Sequence, residues 1–161
     1  MNLPIYIRPL EEGDSAISYA WRNDAEVWKL TGRRPDRVIS PEMELEWIRK
    51  VLQENASRRF AICVQSTNQY IGNVQLTNID VKEKTAEFHL FIGAREFWGK
   101  GVATQATRLM LDYAGEQMKI RNVHLSVSPD NKAAVRVYEK NGFRFVRGSK
   151  SLMTVTLSDT G

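Results

Sequence analysis

The hydrophobic and polar positions in the first third of the chain predict one short strand followed by three helices. Ile5–Pro9 alternates like a strand, and Asp14 then offers a side-chain oxygen that can cap a helix through the segment SAISYAWRN. A second short helix is predicted from Asp24. The pair Ser40-Pro41 supplies a cap and a proline at the first helical position, and apolar residues recur at helical spacing to about Glu54.

The middle of the chain changes to short β-rich segments separated by polar turns. The segments FAICVQ, QYIGNVQLTNI and TAEFHLFIG are joined by the turns STN and DVKEK. Short connections join antiparallel neighbours, so these segments predict an antiparallel meander. In the third segment Glu87, His89 and Phe91 point to the face opposite Ala86 and Phe88, because side chains alternate along a strand.

The last third of the chain predicts a helix, a strand, a second helix and two further strands. The first helix begins near Val102 and ends near Met118, and VHLSV follows as a strand. The second helix comes after Pro129 and stops at Asn141-Gly142, where the glycine suits a left-handed cap. The strands that finish the chain are Phe143–Val146 and Leu152–Leu157.

The composition fits one ordinary globular domain. The chain has 161 residues, of which 42% are hydrophobic, and this is enough for a sizeable core. No apolar run reaches the roughly 20 residues of a membrane span, and no secretory signal opens the chain, so we expect a cytoplasmic protein without a membrane partner. Cys63 lies in an apolar run and predicts a buried thiol. The net charge of +4 is spread along the chain, which argues against a nucleic-acid partner.

Two glycines surround a lysine in FWGKGVATQA, just before the helix that begins near Val102. A helix N-terminus carries unpaired N–H groups and the positive end of the helix dipole, and both attract phosphate. Gly99 and Gly101 allow positive φ and close approach, so several amides can turn toward one pyrophosphate. A tight strand-to-helix connection is the alternative interpretation. The Rossmann fingerprint is excluded, because Thr104 stands where it requires glycine, and the Walker pattern is absent.

The segment WGKGVA before a helix, followed later by SPDNKAAVRVYEKNGF, resembles the GCN5-related N-acetyltransferases. The acetyl-CoA loop of that family reads Gln/Arg-x-x-Gly-x-Gly/Ala. Trp98 replaces its first residue, as in the RimJ/RimL-like branch, and Ala103 stands for its last glycine. The resemblance extends from about Ile5 to Leu157. It implies one N-acetyltransferase domain over residues 1–161 with an α+β fold, in which a mostly antiparallel sheet of about six to seven strands is splayed between its fourth and fifth strands and flanked by about four helices.

The resemblance also implies acetyl-CoA as co-substrate and assigns residues to it. The pyrophosphate would rest on the loop amides, and pantetheine would pair like an added strand with the exposed backbone that ends TAEFHLFIG. Asn131 matches a residue that contacts the cofactor arm, and a turn or helix cap explains it as well. The implied cofactor-binding residues are Phe91, Ile92, Gly93, Gly99, Lys100, Gly101, Val102, Ala103, Thr104 and Asn131.

Tyr138 and Glu87 are the catalytic residues that the resemblance implies. Tyr138 matches the tyrosine that protonates the departing CoA thiolate, although its ring also fits the buried face of the last helix. Glu87 matches a strand glutamate that accepts the ammonium proton through water, and a salt-bridged strand glutamate is the alternative. Relatives that carry the base on the next strand differ from this chain, which has Ser126 there. His89 shares the face of Glu87 and is a second candidate, and no metal is implied.

The resemblance implies that a small-molecule or peptide amine is acetylated by direct attack in a ternary complex. AWRNDAEVWKL resembles enzymes that acetylate amino-sugar nucleotides, RRF and AEFHLFI resemble bacterial spermidine acetyltransferases, and the RimJ/RimL branch includes acetyltransferases of protein N-termini. A non-catalytic acyl-CoA sensor or interaction module is the alternative function, and the resemblance is compatible with a homodimer. Glu11, Glu12, Glu42, Glu44 and Glu46 are candidates for the carboxylates that a polyamine would need, and a solvated helix face is the alternative interpretation of these residues.

Overall fold

The computed structural model describes residues 2–157, apart from the side chains of Leu30 and Thr31. Its strands are β1 (Ile5–Pro9), β2 (Arg58–Val64), β3 (Tyr70–Asp80), β4 (Thr85–Ile92), β5 (Asn122–Ser126), β6 (Arg144–Phe145) and β7 (Leu152–Thr156). They form one sheet in the order β1-β2-β3-β4-β5-β7-β6. Only β4 and β5 are parallel neighbours, and the other neighbouring pairs are antiparallel. The mostly antiparallel α+β sheet expected from the sequence is confirmed.

Helices cover both faces of this sheet. Across residues 2–157 they are α1 (Ser15–Arg22), α2 (Ala25–Thr31), α3 (Pro41–Leu52), α4 (Val102–Glu116) and α5 (Lys132–Lys140), with single 3-10 turns at Glu12–Asp14 and Arg95–Phe97. Helix α4 ends two residues before the expected end. Within the described part of the chain, no helix has the length and hydropathy needed to cross a membrane.

Two of the predicted helix starts have side-chain caps, and the cap by Ser40 is the one that the sequence predicted. The Ser40 hydroxyl accepts a hydrogen bond from the Met43 N–H at 3.1 Å, and Pro41 occupies the first helical position of α3. The Asp24 carboxylate accepts from the Glu26 N–H at 3.0 Å. Each bond satisfies one of the amides that a helix leaves without an intrahelical acceptor, so local sequence fixes where α2 and α3 begin.

Asp14 precedes α1, as expected, but its side chain does not cap that helix. Its two carboxylate oxygens instead accept from the Arg8 guanidinium at 2.7 and 2.9 Å, and one of them also accepts from the Glu11 N–H at 2.8 Å. The prediction of a side-chain cap was wrong, because a charged, bidentate partner on β1 binds the carboxylate more strongly than a neutral amide does. The ion pair fastens β1 to the start of α1.

Two apolar cores lie on opposite faces of the sheet. The core beneath α4 and α5 contains Phe88 and Met110, and the core beneath α1, α2 and α3 contains Trp21 and Ile48. Cys63 belongs to the second core and is fully buried, as its apolar context predicted. Because side chains alternate along a strand, successive residues of β4 face different helices.

Strands β4 and β5 separate after a short stretch of pairing. Their register runs from Thr85 opposite Asn122 to Glu87 opposite His124 and stops there. Strand β4 continues to Ile92, whereas the remaining residues of β5 pair only with β7. The edge of β4 beyond Glu87 therefore faces an open seam, which confirms the splay expected between the fourth and fifth strands.

Candidate active site

The glycine-rich loop adopts the backbone conformation that its sequence suggested. Gly99 and Gly101 have φ values of 76° and 75°, in the left-handed region that side chains rarely occupy. Gly101 is also the N-cap residue of α4, and a Cβ there would overlap the side chain of Asn2. Glycine is thus required at Gly101 both by the backbone and by the space around it.

The loop is held in place through its carbonyl groups, and this leaves its N–H groups available. The Lys100 carbonyl accepts from the Leu3 N–H at 3.0 Å, and the Gln105 side chain donates to the Gly101 carbonyl at 3.2 Å and to the Leu3 carbonyl at 2.7 Å. Among residues 2–157, no acceptor is bonded to the N–H groups from Gly99 to Thr104. This array fits a diphosphate, because free amides and the dipole of α4 converge on it.

The backbone at the end of β4 divides its hydrogen-bonding groups between β3 and the seam. The N–H groups of Gly93 and Ala94 both donate to the Ile71 carbonyl, at 2.9 and 3.1 Å. The Ile92 carbonyl points away from β3 and accepts from the Trp98 indole N–H at 2.8 Å. Both polar groups of a strand residue face the same side, so the Ile92 N–H also faces the seam. Phe91 pairs with Asn73 of β3.

Sequence reasoning missed the contact that Trp98 makes. In the loop motif Trp98 only replaces Gln or Arg. Nothing in the local pattern indicated that its indole N–H bonds Ile92, six residues earlier in the chain. Gly93 was expected as exposed backbone, yet it is buried, and a Cβ there would overlap the Trp21 ring. Glycine is therefore required at position 93 because the backbone packs closely against Trp21 of α1.

Asn131 caps helix α5. Its side-chain oxygen accepts from the Ala134 N–H at 3.2 Å. This bond accounts for the residue type by itself, and it leaves the Asn131 amide nitrogen free to donate to a ligand. Both interpretations of this residue therefore remain compatible with the structure.

Tyr138 lies on the face of the sheet that α5 covers. Its ring packs edge-on against Phe88 and Phe143, with ring centroids 5.9 and 5.8 Å apart, and only 9% of the residue is exposed. Burial raises the pKa of its hydroxyl to about 12. The hydroxyl therefore keeps its proton at neutral pH, as a general acid must.

Glu87 lies on the opposite face of the sheet from Tyr138. Its carboxylate is bonded to His89 Nε2 at 2.8 Å and to the Thr77 hydroxyl at 3.3 Å, and His124 Nε2 lies 3.8 Å away. Burial alone would raise the pKa of this carboxyl group. The hydrogen bond and charge of His89, with smaller effects of Thr77 and His124, outweigh burial and lower the pKa below its ordinary value. Glu87 is therefore ionised at neutral pH.

The fold thus brings the implied acid and base residues to the two sides of one seam. Phe88, which contacts Tyr138, lies between Glu87 and His89 in sequence, at the point where pairing with β5 stops. Ser126 is the last residue of β5, and its backbone pairs with β7. Its hydroxyl is a weaker base than the Glu87 carboxylate. Among residues 2–157, no group of three or more His, Cys, Asp or Glu side chains has an arrangement that could hold a metal ion.

An open cavity of about 460 Å³ lies beside Gly93 on the face that α1 covers, and its lining includes Trp21, Tyr70, Asp24 and Glu96. Trp21 stacks at a tilt on Tyr70, with ring centroids 4.7 Å apart. The Asp24 carboxylate binds Arg95 at 2.9 Å, whereas Glu96 is exposed. The cavity offers aromatic walls and negative charge next to the end of β4.

Most of the helical glutamates that were candidates for amine binding have structural partners or face solvent. Glu44 is 2% exposed, and it accepts from the Ser18 hydroxyl at 2.8 Å and from Arg22 at 2.7 Å. Glu12 binds Arg49 at 2.8 Å. Glu44 therefore joins α1 to α3, as a buried polar group must find partners.

Comparison with known proteins places this geometry in a family. The acetyltransferase (GNAT) domain matches residues 5–144. A spermidine N(1)-acetyltransferase of Vibrio cholerae is 32% identical over 143 residues, which cover 89% of this chain and 80% of that protein. A Vibrio cholerae spermidine N-acetyltransferase solved with CoA and spermine superposes with a TM-score of 0.83 at 28% identity, covering 96% of each chain. A dodecameric structure of that enzyme in an intermediate state gives a TM-score of 0.74 at 27% identity, covering 94% of this chain and 93% of the other.

The family match covers most of the chain, and one of the structures that superpose on it contains CoA. Together with the free amides of residues 99–104, this identifies acetyl-CoA as the co-substrate. The chain belongs to the GCN5-related N-acetyltransferases, and it is an acyltransferase that acetylates an amine with acetyl-CoA.

Proposed function

We propose that the residues assigned from the sequence form the site of a ternary-complex acetyl transfer. The observation that carries the proposal is the row of amides from Gly99 to Thr104, which have no acceptor among residues 2–157 and lie at the mouth of the seam. These amides would bind the pyrophosphate, and Lys100 adds positive charge. Pantetheine would pair with the backbone of Ile92, which Phe91 and Gly93 flank, and Asn131 would contact the cofactor arm.

Glu87 and Tyr138 have complementary roles in the proposed transfer. Acetyl-CoA supplies the acyl group as a thioester. On the Glu87 side of the seam the acceptor ammonium loses one proton, and its nitrogen then bonds to the thioester carbon while the C–S bond breaks with its electron pair on sulfur. Tyr138 protonates that sulfur, and a second proton of the new ammonium returns to Tyr138 through water. The products are an amide, the CoA thiol and one proton released to solvent.

We infer that the acceptor is a polyamine. The Vibrio cholerae relatives are named as spermidine acetyltransferases, and one was solved with spermine. The cavity beside Gly93 supports the inference, because its lining includes the exposed Glu96 carboxylate and the Trp21 and Tyr70 rings, groups of the kinds that attract a cation. Amino-sugar nucleotides and protein N-termini are the competing acceptors.

Acetyl-CoA titration followed by an acceptor screen tests these assignments. Calorimetry of the wild-type protein and of Gly101→Ala should show binding that the substitution weakens, with Gly115→Ala as the matched control inside α4. Thiol release is then measured with spermidine, an amino-sugar nucleotide and a peptide with a free N-terminus. Turnover with spermidine alone supports a polyamine. Binding without turnover on any amine favours an acyl-CoA sensor, and absence of binding by the folded protein contradicts the site.

We further propose that residues 1–161 act as one N-acetyltransferase domain in the cytoplasm and that the chain assembles at least into a homodimer. The single sheet that runs through the described strands supports one domain. The dodecamer formed by a Vibrio cholerae relative supports self-association. Light scattering during size-exclusion chromatography measures the mass, and a monomer at all concentrations would exclude the assembly.

A further inference from the structure

Several polar side chains surround the Glu87 carboxylate on the face of the sheet opposite Tyr138, where the seam begins. His89 Nε2 lies 2.8 Å from Glu87 Oε2 and 3.1 Å from the Thr77 hydroxyl. The Thr77 hydroxyl lies 3.3 Å from the same carboxylate oxygen and donates to it. His124, from β5, approaches the other oxygen of Glu87 at 3.8 Å. His89 is thus bound to Glu87 more closely than any other ionisable group of the cluster.

The contact between His89 and Glu87 determines which nitrogen of the imidazole carries the proton. An ionised carboxylate only accepts hydrogen bonds, so Nε2 must be the protonated nitrogen when it binds Glu87 Oε2. In a neutral imidazole the other nitrogen, Nδ1, then holds a lone pair. Among residues 2–157, no donor is bonded to Nδ1 of His89. The chain therefore presents a free basic nitrogen two residues beyond Glu87.

Glu87 itself is poorly suited to take the ammonium proton. Its carboxylate already accepts from His89 and Thr77, and although burial acts to raise its pKa, the neighbouring His89 lowers the pKa overall. A carboxylate with a lowered pKa has little affinity for a proton at neutral pH. An imidazole changes charge between pH 5 and 8, which is the range in which a general base works best.

We propose that His89 Nδ1 is the proton acceptor of the acetyl transfer and that Glu87 is a positioning residue that fixes the tautomer of His89. This rests on the proposed function of the site. The acceptor ammonium breaks one N–H bond and Nδ1 gains that proton, directly or through one water, while the electron pair stays on the amine nitrogen. The nitrogen then attacks the thioester, and the imidazolium, stabilised by Glu87, returns its proton to solvent.

The placement of His89 agrees with this role. It follows the last residue of β4 that pairs with β5, and its side chain is 32% exposed on the face opposite Tyr138. The ionisable groups facing it are Glu87 on its own strand and, through Glu87, His124 on β5. On β3 the residue paired with His89 is Gln75, which does not titrate. The residue of β2 that pairs with Gln75 is Arg59.

The pH dependence of kcat/KM separates this assignment from a structural role. His89→Gln should lower kcat at pH 7 by about 100-fold or more, the typical size of general-base catalysis, and should abolish the acid limb of the kcat/KM profile. Activity should then rise steadily with pH as the free amine appears. Glu87→Gln should keep the limb, because it leaves the His89 imidazole in place.

His124→Gln is the matched control, since it changes a histidine of the same cluster that lies farther from Glu87. It should keep kcat within about threefold of wild type and retain the limb, because only a group that takes the proton produces the full general-base effect. A His89→Gln enzyme that binds acetyl-CoA and retains both kcat and the limb would overturn the proposal while leaving the acetyltransferase function intact. A wild-type protein inactive on all amines would overturn both.

The tautomer gives a readout that does not depend on turnover. Long-range ¹H–¹⁵N spectra of the wild-type protein, recorded at a pH where the imidazole is neutral, should show the proton of His89 on Nε2. A spectrum with the proton on Nδ1 would contradict the proposal, because that nitrogen would then have no lone pair for the ammonium proton.

Discussion

The Trp98 indole N–H donates to the Ile92 carbonyl at 2.8 Å and so joins the residue before the glycine loop to the open edge of β4. The two parts of the chain proposed to bind acetyl-CoA are therefore connected before any ligand arrives. One end of this link stands directly before Gly99. The bond fixes where the loop begins relative to the seam.

Trp98→Phe should weaken acetyl-CoA binding by about two- to tenfold. The substitution retains an aromatic ring but removes one hydrogen bond worth about 0.5–1.5 kcal/mol, so the loop must be ordered during binding. Calorimetry measures the dissociation constant, with Trp28→Phe on α2 as the control. Unchanged or tighter binding would show that the indole does not preorganise the loop.

Gly101→Ala should destabilise the fold as well as weaken acetyl-CoA binding. A side chain at φ 75° costs about 1–2 kcal/mol, and the new Cβ would also meet Asn2. Gly115→Ala places its Cβ 3.6 Å from Leu157 inside α4, at an ordinary contact distance, and should be neutral or stabilising by up to about 1 kcal/mol. Urea unfolding compares the two variants, and equal stabilities would refute this account of Gly101.

Tyr138→Phe should lower kcat by about 100-fold or more while changing acetyl-CoA affinity less than twofold. The ring keeps its contacts with Phe88 and Phe143, and only the proton donor for the thiolate is lost. Steady-state kinetics and calorimetry on the same preparation measure both quantities. A kcat within threefold of wild type would remove Tyr138 from the catalytic role.

The Tyr138 hydroxyl should also lower the free energy of unfolding at alkaline pH. Its pKa is raised to about 12 in the folded state from 10.0, so its contribution to stability is complete below pH 10 and is lost as pH rises from 10 to 12. At pH 11 the wild type should lose about 1.4 kcal/mol relative to Tyr138→Phe, compared with their difference at pH 8. Urea unfolding at both pH values measures the change, and a constant difference would place the hydroxyl in solvent.

Glu44→Gln should lower the stability of the fold without changing the KM for the amine acceptor. Glu44 is buried between Ser18 and Arg22, so neutralising it leaves the guanidinium poorly paired and costs about 1–3 kcal/mol. The exposed Glu42→Gln, on the same helix, should be neutral. Unfolding and the KM for the amine are measured for both variants, and a raised KM in Glu44→Gln alone would return this residue to the acceptor site.

The local pattern of the chain was enough to locate its strands, its helices and the glycine loop. Ser40 caps α3 as expected, and Asp24, where a second helix was predicted to begin, caps α2, because a cap depends on residues two or three positions apart. Asp14 is the exception, since a distant strand residue, Arg8, outcompetes the local amides for its carboxylate. The last two strands are one or two residues shorter than expected, and Phe143 does not extend β6 because its N–H donates to the Tyr138 carbonyl at the end of α5.

The sequence alone determined that Gly99 and Gly101 precede an amphipathic helix and led to the prediction of an anion-binding loop there, because backbone conformation and helix polarity are local properties. Only the tertiary structure decided that the Gly93 amide binds β3, that Trp98 reaches Ile92, and that His89 rests on Glu87. These contacts depend on strand register and on packing between segments far apart in the chain, and neither is encoded in any short window of residues.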